Sequence, residues 1–207
     1  MGDPFRDPQV RPAHVASTWL EQFEIWLLEA LEARLPQANA MVLSTADFRG
    51  RPSARTVLLK GCDDRGFVFY TNLRSRKGRE AAANPFGALV FPWHAVGRQI
   101  VVSGRLAVVD NAEADTYFAG RGRGSQLAAH ASPQSEVIPS HEFLVTAWEA
   151  VAERCPADHP VPRPPRWSGL RLDPVEVEFW QGRPDRLHNR LRFRRSEGGW
   201  LIETLAP

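Results

Sequence analysis

Two cations follow a hydroxyl in Ser75-Arg76-Lys77, and the first carboxylate after them is Glu80. If Ser75 caps a helix, both cations stand in its first turn, where the helix dipole favours negative charge. A bound anion resolves that conflict. Phosphate at a helix N-terminus meets free backbone N–H groups, and Arg76 and Lys77 add charge-assisted hydrogen bonds. A solvated basic turn, costing about a few tenths of a kcal/mol, is the competing reading. In residues 53–60, Arg55 and Lys60 flank the apolar TVLL. Alternation puts Arg55, Val57 and Leu59 on one strand face and Thr56, Leu58 and Lys60 on the other. Both charges reach one ligand only if it wraps the strand end; otherwise they are two snorkelling end charges.

In YFAGRGRGS, Tyr117, Arg121 and Ser125 are spaced i, i+4, i+8. On a continuous helix they form one stripe of donors suited to a second phosphate. Gly120, Gly122 and Gly124 argue against a continuous helix, and the N–H groups of a glycine-rich loop can serve the same purpose; a mobile basic loop is the alternative. As a dinucleotide fingerprint the segment fails, since no strand precedes it and the glycine spacing is wrong. The last basic run, RLHNRLRFRR (186–195), reads as a strand with Arg186, His188, Arg190, Arg192 and Arg194 on one cationic face. Arg192 and Arg194 fit a charge-blunted edge strand. Arg186, His188 and Arg190, close behind Phe179-Trp180-Gln181, fit a binding face for a flat anionic ring. The six histidines show no HExxH spacing, and neither GxSxG nor GxxxxGK[ST] occurs, which demotes metal hydrolase, serine hydrolase and P-loop NTPase.

These residues must be positioned by short elements. Thr18 and Glu21 read as a capping box opening a helix over 18–35, with Trp19, Phe23, Trp26, Leu27, Ala30 and Leu31 at helical spacing. Residues 40–46, 53–60 and 66–72 read as strands split by the turns FRGRP and CDDRG, an antiparallel meander. Ser75 caps a short helix that Asn84-Pro85 stops, and 87–93 and 98–109 are two further strands. Residues 111–120 and 140–154 read as helices and 156–166 as a proline-rich loop. Strands at 168–181, 187–195 and 199–204 close the chain. The pattern predicts an α+β barrel in one domain over 1–207, with residues 1–17 a flexible lead-in.

Composition bounds the reading. The chain has 207 residues, 43% hydrophobic and 24% charged, enough for one core and unlike disordered, collagenous or disulfide-scaffold proteins. Its 26 basic and 24 acidic residues net +2, too balanced for a dedicated nucleic-acid or membrane-surface binder. Cys62 and Cys155 match no metal spacing, which favours a reducing compartment. The N-terminus has no apolar signal region and no run approaches the roughly 18 apolar residues of a membrane span, so a soluble, cytoplasmic protein is expected. Lys60 and Lys77 are the only lysines, beside 24 arginines, and Tyr70 and Tyr117 the only tyrosines. Where arginine has so largely replaced lysine, the survivors mark places that need a compact ammonium.

Taken together, RTVLLK (55–60), FVFYTNLRSRKGRE (67–80), NPFGALVFPW (84–93), GRQIVVSG (97–104), YFAGRGRGSQ (117–126), SPQSEVI (132–138), VEFWQGRPDRLHNR (177–190) and the terminal LAP resemble the pyridoxine/pyridoxamine 5′-phosphate oxidase family. The resemblance runs from about residue 39 onwards, and both lysines and both tyrosines fall inside these blocks. It implies an FMN-binding split β-barrel, antiparallel and Greek-key-like with peripheral helices, forming a homodimer with the flavin at the subunit interface. Carried over position by position, it implies FMN contacts at Arg55, Thr56, Val57, Leu58, Leu59 and Lys60, then Tyr70, Thr71, Arg76 and Lys77. Further FMN contacts fall at Gln99, Gln134, Ser135, Trp180 and Arg190, some from the second subunit. For the substrate it implies Lys60, Tyr117, Arg121 and Ser125 around the phosphate, with Arg186 and His188 orienting the pyridine ring.

The implied chemistry is hydride transfer from C4′ of pyridoxine or pyridoxamine 5′-phosphate to the flavin, then reoxidation by O2 with release of H2O2. An amine substrate then loses ammonia through hydrolysis of its imine. The flavin performs the hard step, so the protein's task is to hold two phosphorylated aromatics together, which matches signals that are phosphate cradles and not an acid–base dyad. The chain departs from the family pattern at Asn189, where Asp is usual, at Ala128-Ala129-His130 in place of Gly-Ala-Trp, and at Trp167-Ser168-Gly169 in place of WGG. An N-terminal Arg-x-x-Tyr element is not recognisable before Asp3-Pro4-Phe5. The weighed alternatives are a related flavin oxidase of another small aromatic, of the phenazine-pathway type, and a low-turnover protein that binds FMN or pyridoxal phosphate. Neither a nucleic-acid nor a membrane partner is expected.

Overall fold

The computed structural model describes residues 15–207. Residues 1–14 of the expected lead-in, including the region around Asp3-Pro4-Phe5, lie outside them. Helix α1 (Trp19–Glu32) starts where Thr18 Oγ1 accepts the Glu21 N–H at 3.1 Å, and its Trp19, Phe23, Trp26 and Ala30 form one buried stripe. Strand β1 (Ala40–Ala46) buries Met41, Leu43 and Thr45 in strict alternation, and β2 (Pro52–Leu58) turns Thr56 and Leu58 outward. After β3 (Gly61–Asp63) and β4 (Gly66–Asn72), Ser75 caps α2 (Arg76–Ala83). Strands β5 (Phe86–Phe91) and β6 (Arg98–Val108) lead to helices α3 (Asn111–Ala119), α4 (Arg123–Ala131) and α5 (His141–Arg154). Strands β7 (Trp167–Gln181), β8 (Asn189–Ser196) and β9 (Gly199–Thr204) end the chain.

The nine strands form one sheet in the order β2-β1-β5-β6-β7-β4-β3, with β8 and β9 added beside β7, and all pairs are antiparallel. The two ends of that order, β2 and β3, are separated in the chain only by Leu59 and Lys60, and the Lys60 N–H donates to the Val68 carbonyl at 2.8 Å. The sheet therefore curls back toward itself, which is the antiparallel split-barrel architecture. A register shift opposite Ser103/Gly104 leaves one extra residue in β7 beside Pro174, which has no N–H to give the ladder. Such a bulge bends the strand. Gly104 is required there because a Cβ would stand 2.1 Å from the Asp173 carbonyl oxygen.

The barrel interior is filled by Met41, Leu43, Phe67, Phe69, Leu89, Phe91, Ile100, Leu172 and Phe179, with Trp19, Phe23 and Trp26 of α1 packed in. Each such side chain contributes about 1.5–3 kcal/mol on burial. A second cluster of Phe118, Leu127, Val151, Val161 and Trp167 fastens α3–α5 to the end where β4 and β7 meet.

Three expectations are corrected. The turn expected over CDDRG is narrower, since Cys62 and Asp63 belong to β3, which forms a tight hairpin with β4 in the register Asp63↔Gly66. The glycine-rich segment is not one loop, since α4 begins at Arg123. The last basic strand starts at Asn189, so Arg186 and His188 lie in the preceding loop, where Arg186 has φ +64°.

Candidate active site

Strand β4 delivers Thr71 to the mouth of α2, and Ser75 Oγ accepts the Gly78 N–H at 3.3 Å. Gly78 is obligatory, because a Cβ would fall 2.2 Å from the Leu73 carbonyl oxygen. Lys77 Nζ lies 3.3 Å from Thr71 Oγ1, 3.4 Å from Gln134 Oε1 and 3.5 Å from Ser75 Oγ, all neutral acceptors. Gln134 Oε1 also accepts from Thr71 Oγ1 at 2.9 Å, so a residue 63 positions along the chain is drawn into the same cluster. Burial lowers the pKa of Lys77, Arg55 lowers it further and Glu80 opposes. A half-buried ammonium surrounded by neutral oxygens at a helix N-terminus fits a phosphate group.

Behind it, Glu80 is buried and accepts from Thr45 Oγ1 at 2.5 Å, Ser53 Oγ at 2.6 Å, Arg76 Nε at 2.8 Å and Arg55 Nη2 at 3.1 Å. Burial pushes this carboxyl up, but the hydrogen bonds from Ser53, Thr45, Arg76 and Arg55 outweigh it and hold the pKa at about 2. Arg55 also donates to the Leu43 carbonyl, Thr45 and Ser53. Three cations (Arg55, Arg76, Lys77) thus face one carboxylate. Part of the first-turn conflict seen in the sequence is answered from within: Arg76, largely exposed, pairs with Glu80 at i+4, whereas Lys77 has no carboxylate partner among the described residues.

The Tyr117, Arg121, Ser125 stripe does not form. Helix α3 ends at Ala119, Arg121 sits between Gly120 and Gly122, and Ser125 is exposed in the first turn of α4. The structure instead stacks Tyr70 on Tyr117 with centroids 3.8 Å apart and planes 3° from parallel, with Trp167 parallel to both at 5.3 and 6.2 Å. The Arg121 guanidinium lies 4.6 Å from the Trp167 ring centre, and its buried Nη1 has no hydrogen-bond partner. Burial lowers the pKa of Arg121, against Tyr117, and no carboxylate of the described residues pairs with it. Burial also raises Tyr70 to about 12. Lys60 is exposed just past β2, on the side of Thr56 and Leu58, while Arg55, Val57 and Leu59 turn inward.

At the far end of β7, Gln99, Trp180 and Arg190 lie in one row across β6, β7 and β8, on the face opposite the buried Val177, Phe179 and Gln181. Arg190 is clasped by both oxygens of Glu178 at 2.7 and 2.9 Å. His188 packs 4.8 Å from Trp180, and its Nδ1 accepts the Arg183 N–H at 3.1 Å. His188 and Arg190 border a cavity of about 200 Å³ walled by Trp26 and Phe179, where Gln181 Nε2 has no partner. The expected cationic face is neutralised: Arg192 pairs with Glu176 and Glu203, and Arg194 with Glu203. Thr71 pairs with Ser168 near one end of β7, twelve residues before Trp180. At about 3.3 Å per residue, about 40 Å of strand contour lies between the two groups.

Among the departures from the family pattern, His130 has a structural role, and nothing in the structure explains Ser168 or Asn189. His130 Nε2 stands 2.7 Å from the Pro162 carbonyl and the ring packs edge-on to Phe118, fastening α4 to the proline-rich loop. Gly169 is kept because a Cβ would meet the Tyr70 ring at 2.9 Å. Ser168 is buried with its hydroxyl unpaired, and Asn189 pairs with Gln181 at the start of β8. Sequence reasoning missed Glu80, Thr45, Ser53 and the Trp167 ring beside Arg121; the hydroxyls carried no spacing signal, and Glu80 registered only as the first carboxylate after two cations. Among the described residues no group of three or more His, Cys, Asp or Glu could hold a metal, and no helix is long and apolar enough to cross a membrane.

Residues 27–155 match the family model described as pyridoxamine 5′-phosphate oxidase, and residues 167–207 match the pyridoxine 5′-phosphate oxidase C-terminal dimerisation region. The chain belongs to the pyridoxamine 5′-phosphate oxidase family. A pyridoxine/pyridoxamine 5′-phosphate oxidase of Salinispora arenicola (strain CNS-205) is 56% identical over 94% of this chain and 89% of its own length. Among solved structures, PhzG from Burkholderia lata 383, in complex with tetrahydrophenazine-1-carboxylic acid, superposes with a TM-score of 0.86 at 33% identity, covering 100% of this chain and 98% of that one. A pyridoxamine 5′-phosphate oxidase-related, FMN binding protein of Nostoc punctiforme PCC 73102 shares the fold with a TM-score of 0.74 at 20% identity, over 93% of this chain and 100% of that one. The family's dimerisation region carries β7–β9, and with them Trp180, Arg186, His188 and Arg190.

Proposed function

We propose that the protein oxidises pyridoxine 5′-phosphate and pyridoxamine 5′-phosphate to pyridoxal 5′-phosphate, using FMN as cofactor and O2 as acceptor with release of H2O2. The observation that carries this reading is a pair of separate cations lacking an anion: Lys77 among neutral oxygens and Arg121 with its buried Nη1 unpaired. Two phosphorylated ligands require two such places. Lys77, Thr71, Arg76 and the first turn of α2 would hold the flavin phosphate, with Gln134 and Ser135 beside it and Glu80 fixing Arg55. Arg121, Tyr117, Ser125 and Lys60 would hold the substrate phosphate. FMN when bound supplies the two-electron acceptor and its reactivity with O2.

The roughly 40 Å of strand between Thr71 and the Gln99–Trp180–Arg190 row supports a homodimer in which one subunit supplies the phosphate cradle and the other that row, with the flavin at the interface. In this arrangement Arg186 and His188 orient the pyridine ring from the second subunit, and the Nδ1 hydrogen bond fixes which imidazole nitrogen faces it. The protein's contribution is proximity and orientation of C4′, together with exclusion of water by the aromatic walls. The PhzG likeness favours one competing reading, a non-phosphorylated anionic aromatic as substrate. Turnover of pyridoxamine 5′-phosphate with stoichiometric pyridoxal 5′-phosphate and H2O2 supports the proposal. Activity confined to unphosphorylated aromatic acids rejects it.

A further inference from the structure

Arg121 has little of its own to hold it. It lies between two glycines in the link from α3 to α4, it has no carboxylate partner among the described residues, and its buried Nη1 donates to nothing. What it does have is the indole face of Trp167 at 4.6 Å, with the Phe118 ring at 5.8 Å. Trp167, by contrast, is fixed from every side. It is 6% exposed, its N–H donates to the Pro164 carbonyl at 2.9 Å and its carbonyl accepts from Arg163 Nη1 at 2.7 Å. It pairs with Asn72 across the sheet, its ring is parallel to Tyr70 and Tyr117, and Phe118 meets it edge-on at 5.0 Å. A planar guanidinium on a desolvated indole face is held by cation–π attraction without using up its N–H donors. The donors stay free for an oxyanion.

We propose that Trp167 is a positioning residue that sets the affinity for the phosphate of the substrate by holding Arg121 over its ring with the N–H donors left free. The inference rests on the reading of Arg121 as a substrate-phosphate group, and it adds the residue through which that group acts. Trp167 itself touches neither phosphate nor ring.

The test uses FMN-loaded protein and a ligand pair that cannot be oxidised at C4′, 4-deoxypyridoxine and its 5′-phosphate, with the dissociation constant of 4-deoxypyridoxine divided by that of the 5′-phosphate as readout. Circular dichroism checks the fold of each variant. Trp167→Leu lowers the ratio about tenfold, and Trp167→Phe, which keeps a smaller aromatic face, lowers it about two- to threefold. In an Arg121→Ala background neither substitution changes the ratio further, because the effect passes through Arg121. In steady state the loss appears in KM for pyridoxine 5′-phosphate and not in kcat. A wild-type ratio in folded Trp167→Leu overturns the proposal, as does a further fall in the Arg121→Ala background. If Trp167→Leu does not fold, an unchanged ratio in Trp167→Phe overturns it equally. A wild-type protein with no preference for the phosphorylated ligand removes the substrate reading itself, and this inference with it.

Discussion

Reversing the charge at Lys77 probes the proposed flavin-phosphate site most sharply. In the structure Lys77 Nζ meets only neutral oxygens, at 3.3–3.5 Å, and burial already lowers its pKa. A phosphate therefore gains a partially desolvated charge-assisted bond, worth about 2 kcal/mol net. Lys77→Ala should weaken FMN by about 30-fold, at about 1.4 kcal/mol per tenfold. Lys77→Glu adds repulsion of about 3 kcal/mol for like charges roughly 5 Å apart at an effective dielectric near 20, so the loss reaches on the order of a thousandfold or more. Arg194→Glu is the control, because Arg194 is engaged with Glu203 on β8 and makes no contact with the cradle. Quenching of flavin fluorescence gives the dissociation constants, with riboflavin as a second ligand. Because riboflavin lacks the phosphate, Lys77→Ala should leave its affinity unchanged. Equal FMN constants for Lys77→Glu and Arg194→Glu, or equal losses for FMN and riboflavin, would refute the placement.

Other consequences are as direct. The depressed pKa of Glu80, about 2 against an ordinary 4.5, means its contribution to stability is complete above about pH 4.5 and is lost as pH falls toward 2. Urea melts of apo-protein between pH 6 and pH 3 should show wild type losing stability more steeply than Glu80→Gln; parallel curves would contradict the network. Gly78→Ala forces a Cβ against the Leu73 carbonyl at 2.2 Å, so it should destabilise the fold by about 2 kcal/mol or more and weaken FMN, measured by thermal melts and flavin titration. If the flavin site spans two subunits, Lys77→Glu and Arg190→Ala homodimers each bind FMN poorly. After unfolding and co-refolding at equal amounts, about a quarter of the sites should recover, since each heterodimer rebuilds one intact site. No recovery would place both groups on one subunit.

Much of the scaffold was legible because alternation and capping are local. Strands β1 and β4 occupy the residues expected, and Thr18 and Ser75 cap the helices assigned to them. Strand β3 escaped because three residues carry no periodicity, although its hairpin with β4 is local. The start of β8 was placed too early: Leu187, Leu191 and Phe193 fall on one strand face, but Asp185 binds Arg183 and the Leu187 N–H, holding the first residues in a turn. The cationic face failed for a reason the sequence also contains. Glu176 and Glu178 alternate on β7, and only the β7–β8 pairing reveals that they lie beside Arg192 and Arg190.

The site was legible in its types and less so in its assembly. Lys77 stood out through composition and helix electrostatics, and Arg121 through its neighbours. Gln134, 57 residues beyond Lys77, was reachable only through the family resemblance. The Tyr70–Tyr117–Trp167 stack joins β4, α3 and β7, and no one-dimensional spacing encodes it.

The central claim is tested most directly by the flavin spectrum of the FMN-loaded protein, recorded anaerobically before and after adding pyridoxine 5′-phosphate. The account predicts that the flavin band bleaches and returns when air is admitted, with pyridoxal 5′-phosphate and H2O2 formed in equal amounts. A bound flavin whose spectrum does not change with this substrate would contradict it.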